Sequence, residues 1–111
     1  MRLRHSRGSD AVRHLGAKPK DARNIIETCA ALASDALRLP AHRVEIAVGA
    51  SRARPTAKGR YLAGTVTLFP AAFADPLTLA WTVFHEFAHA AGLDEPGADA
   101  FAARFLTGDA A

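Results

Sequence analysis

One cysteine, one methionine, one tryptophan and one tyrosine are all that 111 residues contain of those types. A lone Cys29 excludes an internal disulfide and suits a reducing compartment. Its place in an apolar helical stripe makes it a small core residue rather than a zinc ligand. No apolar run reaches the roughly 18–20 residues of a membrane span, and the basic N-terminus lacks the apolar centre of a secretory leader. The expectation is a cytoplasmic protein with no membrane partner. Acidic residues are scarce at the start: residues 1–20 carry six basic side chains against Asp10 alone. That reads as a basic arm over 1–18, solvated rather than bound to nucleic acid. The opposite imbalance holds over 74–111, where Arg104 is the only base among six acids. Carboxylates gathered near histidines are what a divalent cation requires.

Half the residues are apolar, enough for one core but not for two. Residues 19–111 therefore read as a single α+β domain. Pro19–Leu39 has helical periodicity in Ala22, Ile25, Ile26, Cys29, Leu32, Ala33, Ala36 and Leu37, and Pro40 ends it. Arg43–Val48 alternates as a half-buried strand, and Gly49–Gly59 is a basic, glycine-flanked connector. Arg60–Ala63 and Thr65–Phe69 are strand-like, with Gly64 marking a bend. A last helix over Pro96–Leu106 buries Ala98, Phe101, Ala102 and Phe105. The sheet expected has about three strands. His5, His14 and His42 carry no motif.

The chemistry concentrates in Asp75–Gly92, DPLTLAWTVFHEFAHAAG. Asp75 is a good N-cap, Pro76 suits the first helical position, and Gly92 closes the end. Only Thr78, Thr82, His85, Glu86 and His89 interrupt the apolar residues. At roughly 100° per residue they span an arc of about 100°, so a core helix carries one polar stripe facing a cleft. The stripe contains H-E-x-x-H. His85 and His89, one turn apart, can reach one ion, and Glu86 to their side can take a proton from a water. A third protein ligand is needed, and Asp94, Glu95 and Asp99 are near.

HEFAH followed by EPGADAFAARFL resembles the gluzincin metallopeptidases, most closely ImmA/IrrE-like peptidase domains, and GRYLAGTVTLFP resembles the strand pair ahead of their active-site helix. The resemblance covers about Leu37–Leu106. It implies a minimal zincin-like fold, Zn2+ held by His85, His89 and Glu95, Glu86 as general base, and Asp99 bracing a ligating histidine. Asp99 remains the alternative third ligand. A peptide or protein substrate is implied, with a regulatory protein as a further partner. Thr65 and Thr67 would bind the peptide by strand addition, and Tyr61 is the candidate oxyanion donor. Two other functions stay open. The histidine spacing also resembles YbeY-type RNases, although Glu86 and the acidic C-terminal end favour a peptidase. A non-catalytic zinc-binding regulatory module is the second.

Overall fold

The computed structural model describes residues 2–5, 19–40, 43–49 and 57–106. Their order is β1 (Arg2–His5), α1 (Pro19–Leu37), β2 (Glu45–Val48), β3 (Gly59–Leu62), β4 (Thr65–Leu68), a 3-10 turn (Pro70–Phe73), α2 (Pro76–Ala90) and α3 (Glu95–Leu106). The fold is α+β, as expected, but the sheet has four strands in the order β1-β2-β4-β3. The extra strand comes from the arm: Arg2–His5 pairs in parallel with Glu45–Val48. A parallel pair needs a crossover, and α1 supplies it. Residues 6–18 of the arm, and most of the 49–59 connector, lie outside the described residues.

β4 is parallel to β2 and antiparallel to β3, which it meets through a two-residue turn. Ala63 (φ 49°) and Gly64 (φ 85°) are both left-handed there, the twist that closes a tight hairpin. Alternation then sorts the faces. Ile46, Val48, Val66 and Leu68 are sealed in the core, so Thr65 and Thr67 face the opposite side of the sheet.

α2 lies against β3 and β4, with α1 and α3 packed on its flanks. That surround explains its sequence: Leu79, Val83, Phe84 and Phe87 are each at most 2 % exposed. α1 behaves more simply, burying Ala22, Ile26, Cys29, Ala30 and Ala33. Leu32, expected on that stripe, is 47 % exposed; at about 100° per residue Leu32 sits roughly 100° and Ala36 roughly 60° from the middle of the buried line. The helix also stops at Leu37, before Pro40, because Arg38 turns left-handed (φ 53°). No helix among the described residues is long and apolar enough to cross a membrane.

Candidate metal centre

Asp75 caps α2 as its residue type requires, accepting the Thr78 N–H at 2.7 Å. Thr82 Oγ1 donates to the Thr78 carbonyl at 2.8 Å, keeping its hydroxyl on the helix. One turn on, His85 and His89 present their Nε2 atoms to each other at 3.1 Å. The link to α3 is set by Gly92 (φ 96°), whose N–H reaches the His89 carbonyl while the Leu93 N–H reaches that of Ala88. This closure turns the Leu93 carbonyl back, 2.8 Å from His89 Nδ1. With Nδ1–H donating there, His89 Nε2 is the ring atom that can ligate an ion once it gives up the proton shared with Glu95.

α3 begins where the link ends. Asp94 Oδ1 accepts the Gly97 N–H at 2.9 Å, so Asp94 caps the helix rather than facing the histidines. Ala98 and Ala102 have no exposure, and Phe84 stacks on Phe105 with ring centroids 4.4 Å apart. The small residues allow close approach, and the ring stack anchors the far end of α3 against α2. The first turn of α3 delivers Glu95: Oε1 is 2.6 Å from His89 Nε2, and Oε2 is 3.4 Å from His85 Nε2. Asp99 Oδ1 comes within 3.1 Å of His85 Nδ1, but off the line of a good hydrogen bond, so that buried nitrogen has no well-aligned acceptor.

One donor atom each from His85, His89 and Glu95 falls within 4.8 Å of the others. Two ligands about 2.0–2.1 Å from a tetrahedral zinc ion are roughly 3.3 Å apart. The 3.1 and 3.4 Å separations fit that figure. The 2.6 Å contact, made by the other oxygen of Glu95, is a charge-assisted hydrogen bond about 0.7 Å shorter than that figure. Two nitrogens and an oxygen suit zinc.

Electrostatics separate the two glutamates. Glu95 is exposed, and the His89 hydrogen bond lowers its pKa against desolvation, with the charge of His85 helping. Burial alone would lower His89, but its bond to Leu93, its bond to Glu95 and the charges of Glu86 and Glu95 raise it. Glu86 is 7 % exposed, with Oε2 4.0 Å from His85 Nε2. Desolvation raises its pKa above the ordinary value. The two histidine charges oppose that shift, Glu95 adds to it, and a hydrogen bond from the Tyr61 backbone N–H opposes it again.

Tyr61 therefore meets the site through its backbone; its side chain packs against the core and does not line the cleft. The oxyanion role expected of its phenol is corrected accordingly. Thr65 and Thr67 are corrected too, because β4 is paired on both sides and they face away from α2. The free edge beside the site belongs to β3. A cleft of about 320 Å³ opens there, lined by Lys58, Gly59, Trp81, Thr82, His85, Glu86 and Glu95.

Gly59 is the candidate-site position that motif reading passed over. A Cβ there would lie 2.7 Å from Thr82 Cγ2, 3.0 Å from Glu86 Cγ and 3.3 Å from the Thr67 carbonyl oxygen. Only glycine lets β3 approach the polar stripe of α2 this closely. Its signal in the sequence was a glycine at a strand boundary, which alone says nothing about what approaches it. Cys29, buried on α1, belongs to no metal-binding group among the described residues. No family model, curated protein or solved structure matches the chain.

Proposed function

We propose that this chain is a zinc-dependent metallopeptidase, with the ImmA/IrrE-like gluzincins as the family whose motifs it resembles. The observation that supports it most is the pairing of a histidine–histidine–glutamate cluster with a second, buried carboxylate 4.0 Å from the nearer imidazole. A structural zinc site has no need of that second carboxylate.

His85, His89 and Glu95 would hold the ion, which supplies Lewis acidity toward a carbonyl and lowers the pKa of water. The remaining work falls to the chain. Glu86, desolvated and raised in pKa, accepts a proton from the attacking water and returns it to the leaving amine. The Tyr61 N–H holds its carboxylate against β3. The free edge of β3 offers main-chain groups to an extended peptide, and its pairing with β4 keeps that edge rigid. Leu93 fixes the His89 ring by accepting from Nδ1.

Glu86→Gln is the decisive variant: the amide keeps the shape but cannot act as a base. It should retain near-stoichiometric zinc by elemental analysis and lose casein hydrolysis by at least about 100-fold. Loss of zinc from Glu86→Gln would make Glu86 a ligand. RNA cleavage by zinc-loaded protein that leaves casein intact would replace the peptidase with a nuclease.

A further inference from the structure

The i, i+4 row of α2 that ends in His85 and His89 begins with Leu77 and Trp81. Leu77 is 63 % exposed, the most exposed of the large apolar side chains described. A second cavity of about 260 Å³ lies over this part of the row, lined by Lys58, Leu77, Thr78 and Trp81. It shares Lys58 and Trp81 with the cleft that holds His85 and Glu86, so the two adjoin. Trp81 is only partly buried and forms the common wall.

We propose that this cavity is a substrate subsite that takes one bulky apolar side chain, phenylalanine or leucine, of an extended peptide laid along β3. The proposal rests on the peptidase reading and adds the class of peptide to it. Two observations select this occupant. The cavity adjoins the cleft beside a free strand edge, where alternate side chains of an added strand must point toward α2. Its walls are an exposed leucine, a tryptophan face and a threonine, with Lys58 able to keep its charged head in water. An exposed Leu77 and a partly buried Trp81 lose unfavourable hydration only when an apolar group covers them.

Trp81 is the sole tryptophan, so its fluorescence reports the subsite directly. The probes are octapeptides of alanine, serine and threonine in which a single phenylalanine is moved through each position. Zinc-loaded wild type should prefer phenylalanine at one position by about 10–100-fold in kcat/KM over the all-small peptide. That same peptide should shift the Trp81 emission of zinc-loaded Glu86→Gln, while the all-small peptide should not. Trp81→Ala removes packing as well as the subsite, so Leu77→Asp is the sharper variant. Its exposed first-turn position tolerates a carboxylate. In Leu77→Asp the phenylalanine preference should collapse to within about twofold. Hydrolysis without positional preference, or a preference that survives Leu77→Asp, overturns the subsite and leaves the peptidase reading standing. A Trp81 shift with the phenylalanine peptide, lost in Leu77→Asp, but no hydrolysis by wild type, does the reverse.

Discussion

α1 and α2 are packed against each other and built alike, yet only one of them gathers polar partners around its buried ionisable group. Each buries one ionisable side chain whose pKa burial raises, Cys29 on α1 and Glu86 on α2. Each ends in the same closure. In α1 the Arg38 and Leu39 N–H groups reach the Asp35 and Ser34 carbonyls, and in α2 Gly92 and Leu93 reach His89 and Ala88. The difference lies in what surrounds the buried group. Only desolvation acts on Cys29, whereas two imidazoles, a second carboxylate and a strand-edge N–H act on Glu86. A buried ionisable group marks a site when partners converge on it from several elements.

The largest expected effect breaks the comparison at the metal. Glu95→Ala removes one of three protein ligands and should weaken zinc by more than about 100-fold, measured by competitive chelation. Asp99→Ala should cost roughly 10–100-fold, because the His85 ring loses the carboxylate that lies 3.1 Å from its Nδ1. Asp94→Ala should leave zinc nearly untouched and cost about 1 kcal/mol as a lost helix cap. Cys29→Ala on the other helix should not alter affinity at all. If Asp99→Ala abolishes zinc while Glu95→Ala retains it, Asp99 is the third ligand and the gluzincin assignment fails.

Next comes the contact that brings β3 onto α2. Gly59→Ala should keep zinc affinity within a few-fold, since no ligand touches Gly59, while hydrolysis falls about 10–100-fold as Glu86 is displaced. Thr82→Ser removes the Cγ2 that a new Cβ meets at 2.7 Å and keeps the hydroxyl that bonds Thr78. The double variant should recover much of the loss. An unrescued double variant would mean that Gly59 acts through strand stability instead.

These contrasts show which parts of the molecule could be read in advance. H-E-x-x-H was legible because its geometry is local: one helical turn brings His85 over His89 whatever the fold. Asp75, Pro76 and Gly92 were legible for the same reason. Glu95 could be placed only among neighbours, since its reach depends on how α3 packs through Phe84, Phe101 and Phe105. Strand order was not legible at all. Alternation shows that Thr65–Leu68 is a strand, but its burial between β2 and β3 is a long-range pairing. Thr65, Thr67 and Tyr61 were misassigned on that account. Arg2–His5 looked like a solvated arm because an edge strand of mixed polarity carries no marked pattern.

The third effect is on stability against pH, and it separates the two buried groups. The Cys29 thiol is pushed from 9.0 to about 11 by burial. Between those values the unfolded chain has lost its proton and the folded chain has kept it, so stability falls as pH rises and levels off above about 11. Two units correspond to at most ~2.7 kcal/mol. Glu86 shifts in the same direction, so in metal-free protein its cost sets in as pH rises above 4.5. Urea denaturation of wild type and Cys29→Ala at pH 7 and pH 11 isolates the thiol: their stability difference should narrow at high pH by up to that amount. An unchanged difference would mean that Cys29 is wetter than its 8 % exposure implies.

The smallest effect concerns the two helix closures and has opposite signs at the two ends. Arg38 holds a left-handed φ of 53°, where a Cβ is strained, and Gly92 holds 96°, where glycine is unstrained. Arg38→Gly should therefore stabilise by up to about 1 kcal/mol, and Gly92→Ala should cost about 1–2 kcal/mol. For a domain of this size each kcal/mol moves Tm by roughly 4–6 °C, within reach of calorimetry. Zinc separates them further. The Gly92 closure carries the Leu93 carbonyl that fixes His89, so Gly92→Ala should also weaken zinc, and its Tm deficit should grow in zinc-loaded protein. The Arg38 closure touches no ligand, so the gain from Arg38→Gly should be the same with and without zinc. Equal deficits for Gly92→Ala in both states would show that α2 holds His89 without help from its closing turn.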